Sequence, residues 1–191
     1  MLHLLQPTPP SWVQAAAAEV DTLLADHAHC ELKAAQSALS LVARFGSEHP
    51  LLVEPLTALA REETQHFRLV YERIQARGGD VGVPARDDYV RALRSAARQD
   101  AEHPLLDRLL ICALIEARSC ERFKVLSEGL PDKTLADFYR GLMAAEARHF
   151  TLFAGLAEGV FGAGARARLA TLARREAAVA RHLPLGPTVH G

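Results

Sequence analysis

Two short motifs in this sequence place a carboxylate and an imidazole three residues apart. One runs from Glu63 to His66 and the other from Glu146 to His149, and each reads Glu-x-x-His. Residues three apart on a helix lie on the same face, so each motif can offer an oxygen and a nitrogen ligand to one metal ion. A single Glu-x-x-His motif is common on solvated helix faces. The second copy indicates half of a binuclear metal site.

Two further glutamates complete a ligand set of the kind that binds two metal ions inside helical bundles. Such a site takes one Glu from each of two helices and a Glu-x-x-His from each of the other two. Glu31, 32 residues before Glu63, and Glu116, 30 residues before Glu146, fill these places, which predicts two helical hairpins of similar length. Both lie among small or apolar residues, where a buried carboxylate is costly unless it meets a cation. Four carboxylates and two imidazoles suit iron or manganese better than structural zinc.

The elements that position these residues are predicted to be helices. Apolar residues recur at three- and four-residue spacing through almost the whole chain, which is typical of an all-α protein. The predicted helices run from Ser11 to about Phe45, from after Pro50 to before Gly78, from Arg86 to about Gln99, from Pro104 to Gly129, from Pro131 to about Glu158, and from after the Gly-rich break at 159–164 to about His182. The six candidate ligands fall on four of them.

Length and composition set the class of protein. The chain has 191 residues, 49% of them hydrophobic and 24% charged, which predicts one globular domain over residues 1–182 with a loosely held tail at 183–191. No apolar run has the length of a bilayer span and the N-terminus has no signal-peptide pattern, so we expect a cytoplasmic protein with no membrane partner. Three cysteines without a CxxC pair predict neither a disulfide framework nor a zinc site.

Charge is distributed unevenly along the chain, although the net charge is only -1. The last predicted helix carries one acidic residue, Glu176, against five arginines, which makes it a candidate anion-facing surface. The five are Arg166, Arg168, Arg174, Arg175 and Arg181. An arginine-rich composition would scatter such residues anyway, so both interpretations stand at this point.

Several neighbours of the candidate ligands carry polar side chains. His27 lies one turn before Glu31, where it could support that ligand, although we favour a polar or capping role for it. Arg118, Arg122 and Arg148 are expected to pair with ligand carboxylates or with a phosphate. The tyrosines are predicted to be core or rim aromatics.

Four segments around the candidate ligands are distinctive together. They are 26–31, 61–67, 115–123 and 146–150. These segments resemble the bacterial tRNA 2-methylthio-N6-isopentenyladenosine hydroxylase family, and the likeness covers roughly Leu23 to Arg175. The resemblance implies a ferritin-like four-helix bundle with additional short and C-terminal helices. It also implies a di-iron monooxygenase that hydroxylates the isopentenyl group of a hypermodified adenosine beside the tRNA anticodon.

The resemblance also implies roles for individual residues. Glu31, Glu63 and His66 would hold one iron ion, and Glu116, Glu146 and His149 the other, with Glu63 and Glu146 as the bridging pair. O2 is the expected co-substrate. A separate reductase is the expected electron donor, because no GxGxxG or iron–sulfur motif is present in the sequence. We expect a monomer or small homo-oligomer, and the candidates for tRNA phosphate contacts are Arg148, Arg166, Arg168, Arg174 and Arg175.

Three other classes of protein use a similar ligand set. A ferritin-type iron store would need a multi-subunit shell. A manganese catalase would disproportionate peroxide without a reductase. A small-molecule di-iron oxygenase would share the bundle and would not act on tRNA.

Overall fold

The computed structural model describes residues 2–97 and 104–191, and within these ranges it contains seven α-helices and no β-strand. The helices are α1 (Pro10–Ala18), α2 (Val20–Phe45), α3 (Val53–Ala76), α4 (Asp88–Ser95), α5 (Pro104–Gly129), α6 (Lys133–Phe161) and α7 (Ala163–His182). A single 3-10 turn at Pro50–Leu52 precedes α3. The all-α prediction is confirmed. No helix in the described part of the chain is long and apolar enough to cross a membrane.

The helices fall into two compact units. The first contains the described residues of Met1–Ala17, Asp87–Gly186 and His190–Gly191, and the second contains Ala18–Arg86 and Pro187–Val189. The main helix pair is α5 with α6 in the first unit and α2 with α3 in the second. Each pair carries one half of the predicted ligand set. The single domain over residues 1–182 stays a prediction.

Helix ends follow local chemistry at several positions. The Asp132 carboxylate accepts hydrogen bonds from the backbone N–H groups of Thr134 and Leu135, which caps α6. Asp87 caps α4 in the same way. That helix ends at Ser95, earlier than the predicted Gln99: Ala96 and Ala97 are not helical, and residues 98–99 lie outside the described residues. The predicted Gly-rich break is a single residue in the structure, Gly162, which separates α6 from α7. Its φ of 61° is readily adopted only without a Cβ atom.

The prediction of one continuous first helix is wrong, because α1 and α2 are separate helices. The chain leaves the helical conformation at Glu19, with φ -133° and ψ 56°. Local propensity favours one continuous helix through this Ala-rich stretch, so the break reflects packing of α1 within the first unit. The guanidinium of Arg122 lies 4.1 Å from the centre of the Trp12 ring. A Cβ atom built on Gly129 would come within 2.8 Å of Val13, so α1 packs closely on the end of α5.

The C-terminal tail is packed rather than loosely held. Val189 and His190 are buried. His190 Nδ1 lies 2.9 Å from Asp87 Oδ2, and its ring stacks on Tyr89 at 5.1 Å between centroids. The prediction failed because these partners are about a hundred positions away in sequence.

One buried ion pair joins α7 to α5. Arg168 donates from Nε to Asp107 Oδ1 at 2.8 Å and from Nη2 to Asp107 Oδ2 at 2.6 Å, a two-pronged contact. Asp107 is only 1% exposed. By contrast, Arg166 pairs with Glu158 at 3.2 Å, and both of these side chains are well exposed.

We predict that Arg168→Leu lowers the free energy of unfolding by about 3 kcal/mol, because it leaves the Asp107 carboxylate buried without its cation. Arg166→Leu is the matched control on the same helix and should change stability by less than about 1 kcal/mol, since its ion pair is exposed. Urea unfolding followed by circular dichroism measures both. Equal losses in the two variants would contradict the role assigned to the Arg168 pair.

Candidate metal centre

The second unit brings together the three ligands predicted for it. Glu31 lies on α2, while Glu63 and His66 lie on α3. His66 Nδ1 is 3.1 Å from Glu63 Oε2 and 3.5 Å from Glu31 Oε2. All three side chains are buried, with residue exposures between 1% and 6%. A carboxylate from one helix therefore meets a Glu-x-x-His pair from its neighbour, as the sequence predicts for this half of the site.

The amphipathic pattern of these helices explains the placement. The buried stripe of α3 is apolar except for Glu63 and His66 at its middle. Its other buried residues are Leu56, Leu59, Ala60, Val70 and Ile74, at helical spacing. On α2 the buried stripe likewise contains Glu31 between small and aliphatic residues. The face that packs the two helices together is thus the face that carries the ligands.

His27 is in direct contact with a candidate ligand, contrary to the prediction of a separate polar or capping role. Its Nε2 lies 2.6 Å from Glu31 Oε1, and the residue is fully buried. His66 faces the other oxygen of the same carboxylate. The i, i+4 spacing was the available signal, because residues four apart on a helix are neighbours.

The charges in this group are balanced locally. Burial by itself would raise the pKa of Glu31, but hydrogen bonds with His27 and His66 outweigh it and hold that pKa well below the usual range. Burial would lower the pKa of His66, but hydrogen bonds to Glu31 and Glu63 raise that pKa to about 10. A metal ligand must be deprotonated, so a metal ion that binds His66 has to displace a proton.

The first unit brings together the other three predicted ligands. Glu116 lies on α5, and Glu146 and His149 lie on α6. His149 Nδ1 is 4.0 Å from Glu116 Oε2 and 4.0 Å from Glu146 Oε2. All three residues are buried. These two separations are longer than a hydrogen bond, in contrast to the 3.1 Å between His66 Nδ1 and Glu63 Oε2.

Both groups fit a metal ion by donor chemistry and by spacing. Metal–ligand bonds of about 2.1 Å place neighbouring ligand atoms about 3 Å apart and opposite ones about 4 Å apart. The nitrogen–oxygen separations quoted above run from 3.1 to 4.0 Å and lie in this range. Carboxylate-rich sets with one imidazole per metal suit iron and manganese.

Two arginines near the first-unit ligands have structural roles instead of the predicted ones. Arg118 Nη2 donates to Glu176 Oε1 at 2.6 Å, and Nη1 donates to Glu121 Oε2 at 2.9 Å. Arg122 donates to the carbonyl of Gly191 at 2.9 Å and covers the ring of Trp12. Their partners are not candidate ligands, and both arginines are buried away from any phosphate in solution, so the prediction that they pair with ligand carboxylates or a phosphate is wrong.

The five arginines predicted to contact tRNA divide into two kinds. Arg148, Arg166, Arg174 and Arg175 are exposed. Arg168 faces inward toward Asp107, as described above. Sequence position does not distinguish them, because the carboxylate that turns Arg168 inward comes from another helix, α5.

Comparisons with known proteins agree with this geometry. The sequence model of the family described as tRNA-(MS[2]IO[6]A)-hydroxylase (MiaE) matches residues 1–191. The chain is 42% identical to the tRNA 2-(methylsulfanyl)-N(6)-isopentenyladenosine(37) hydroxylase of Pseudomonas putida, over 79% of this chain and 73% of that protein. The protein of the same name from Salmonella typhimurium is 30% identical, over 85% of this chain and 78% of its own length.

A solved structure is similar over almost the whole chain. It is titled "Protein 43 with aldehyde deformylating oxygenase activity from Synechococcus", with a TM-score of 0.92 and 38% sequence identity. The match covers 98% of this chain and 95% of that one. The expected ferritin-like fold is thereby confirmed. With the family match spanning every residue, this chain belongs to the tRNA-(MS[2]IO[6]A)-hydroxylase (MiaE) family.

Proposed function

We propose that this chain hydroxylates the isopentenyl group of 2-methylthio-N6-isopentenyladenosine in tRNA, using O2 and electrons from a separate reductase. The observation that carries the proposal is the burial, in each helix pair, of a carboxylate beside a Glu-x-x-His pair. Membership of the family, and relatives in two bacteria that are named for this reaction, supply the substrate class.

The six buried residues are proposed to hold two iron ions. Glu31, Glu63 and His66 would hold one, and Glu116, Glu146 and His149 would hold the other. When bound, reduced iron supplies the O2 chemistry that inserts an oxygen atom into an unactivated C–H bond.

The chain itself contributes ligand orientation and exclusion of water. His27 holds Oε1 of Glu31, so Oε2, which faces His66, is the oxygen left to bind metal. The Glu31 carboxylate stays ionised because His27 and His66 outweigh the effect of its burial on its pKa. Burial of all six residues keeps bulk water away from the site, which limits side reactions there.

The proposed reaction is tested with the reduced, iron-loaded protein, O2 and tRNA that carries the prenylated adenosine. We expect the isolated nucleoside to gain the mass of one oxygen atom. Glu146→Gln should abolish this gain and lower the bound iron, because it removes an ionised ligand from a buried site. Glu158→Gln, on the same helix and half-exposed, is the matched control and should retain both iron and activity. An unchanged nucleoside with two irons bound would contradict the proposal.

A small-molecule oxygenase is the second candidate function. The solved structure at a TM-score of 0.92 is titled for aldehyde deformylating oxygenase activity, and it shares 38% of its sequence with this chain. Incubation of the iron-loaded protein with an aliphatic aldehyde, O2 and an excess of chemical reductant, which supplies the four electrons needed per aldehyde, tests this directly. Formation of formate and of a hydrocarbon one carbon shorter than the aldehyde, with no oxygen gained by the prenylated adenosine in tRNA, would favour the second candidate over the first.

His27 gives a further test of the metal site. We predict that His27→Ala lowers the affinity for Co2+ by about 10- to 100-fold, because Glu31 loses the donor that orients it. His27→Gln should restore part of this affinity, since its amide nitrogen can still donate to Glu31. Co2+ titration by calorimetry and by visible absorption measures the effect.

The matched control for His27 is His29 on the same helix. His29 Nε2 contacts the carbonyl oxygens of Val81 at 3.1 Å and Gly82 at 3.3 Å, so it anchors the loop after α3. His29→Ala should leave Co2+ affinity unchanged. Equal Co2+ affinities in His27→Ala and His29→Ala would show that His27 does not position the ligand.

A further inference from the structure

The charges of α7 are separated between its buried and exposed sides. Its only acidic residue, Glu176, is fully buried. The Oε1 atom of Glu176 accepts hydrogen bonds from Arg118 Nη2 at 2.6 Å and from the Tyr89 hydroxyl at 3.1 Å. The helix therefore contributes no negative charge to the protein surface.

One of the helix's five arginines also faces inward. Arg168 is neutralised by the buried carboxylate of Asp107, which leaves four exposed arginines. Arg166 has an exposed ion pair with Glu158, and such pairs are weak and easily exchanged. Arg174 and Arg181 donate to the uncharged side-chain oxygens of Thr171 and Gln6.

We propose that the exposed side of α7 binds the phosphate backbone of the tRNA, with Arg174, Arg175 and Arg181 making the contacts and Arg168 making none. This inference rests on the proposed function for the identity of the polyanion. A helix turns about 100° per residue, so Arg174 and Arg181 lie within about 20° of each other and about 10 Å apart along the axis. Arg175 lies about 100° to one side. Together the three form a cationic surface two turns long.

The helix dipole alone does not account for this surface. Cations in the last turn of a helix are stabilised by the dipole without any ligand, and Arg181 benefits in this way. Arg174 and Arg175 lie about two turns before the end of α7, beyond the reach of that effect. Their exposed neighbours are the small residues Ala170 and Ala178, which let an extended backbone approach the helix closely.

The proposed function decides between phosphate and a carboxylate-bearing protein partner. Guanidinium groups bind the oxygens of either group with two parallel hydrogen bonds, and the tRNA substrate of the proposed reaction supplies phosphates. A chain with a net charge of only -1 gains a local positive field when one helix directs its cations outward and its anion inward. Phosphate contacts of this kind hold the RNA in position without reading its sequence.

The test compares three triple variants in the metal-loaded protein. Arg174→Gln, Arg175→Gln and Arg181→Gln are combined in one protein, and Arg174→Lys, Arg175→Lys and Arg181→Lys in a second. The control combines Arg44→Gln, Arg68→Gln and Lys133→Gln, which removes the same charge from exposed positions on other helices. The Kd for tRNA carrying the prenylated adenosine is measured for each at several salt concentrations.

We expect the α7 glutamine variant to raise the Kd at least tenfold at low salt. Affinity falls as salt rises, and the slope of log affinity against log salt should become less steep by about 2. Each lost phosphate contact removes roughly 0.7 to 0.9 from the steepness. The lysine variant should keep the slope, because it keeps the charge. The proposal is overturned if the α7 glutamine variant and the control variant have the same Kd and the same salt slope.

Hydroxylation assays on the same proteins separate this inference from the proposed function. If α7 binds only the tRNA backbone, the α7 glutamine variant should have a higher KM for tRNA and an unchanged kcat at saturating tRNA. If tRNA binding depends on α7 but the nucleoside gains no oxygen, the proposed hydroxylation is wrong and the proposed tRNA-binding surface is supported. If the wild-type protein hydroxylates tRNA and the KM of the α7 glutamine variant matches the control, the reaction stands and the surface is wrong.

Discussion

The cost of taking carboxylates out of water organises both units of this protein. An ionised carboxylate in the interior must be met by donors or by positive charge, and each of the buried acids Glu31, Asp107 and Glu176 has a cationic or imidazole partner within 2.6 Å. The partners differ in chemistry. Imidazoles, which can also bind a metal, meet Glu31, whereas permanently charged guanidinium groups meet the other two. With imidazole partners, the site around Glu31 can exchange a proton for a metal ion. With guanidinium partners, the other two acids form ion pairs that hold helices together.

The guanidinium-based pairs have consequences beyond their own helices. Arg118 donates to the carbonyl of Gln6 at 2.9 Å, and the backbone N–H of Thr8 donates to Glu121 at 2.8 Å, so the segment before α1 is held against α5. The same arginine neutralises Glu176 on α7. One buried cluster thus fixes the N-terminal segment and the orientation of the last helix, and that orientation decides which arginines reach the solvent.

Sequence spacing predicted the features that depend on the helical period and missed those that depend on distant partners. Both Glu-x-x-His pairs and both single glutamates lie where the periodicity puts them, because three- and four-residue neighbours share a face whatever the tertiary structure. The break at Glu19 and the packed tail come from contacts that no local pattern encodes. The arginines are the clearest case: Arg166 and Arg168 lie two positions apart on one helix, yet only Arg168 is turned toward a buried acid, and that acid is 61 positions away in sequence.

The two ligand groups share a motif, but they differ in the residue that lies one helical turn before the single glutamate. The residue one turn before Glu31 is His27, which donates to that carboxylate, whereas the residue one turn before Glu116 is Cys112. A thiol is a much weaker donor than an imidazole N–H. The second unit therefore has an imidazole donor to its single glutamate at a position where the first unit has a thiol, a difference that belongs to this chain's own residues.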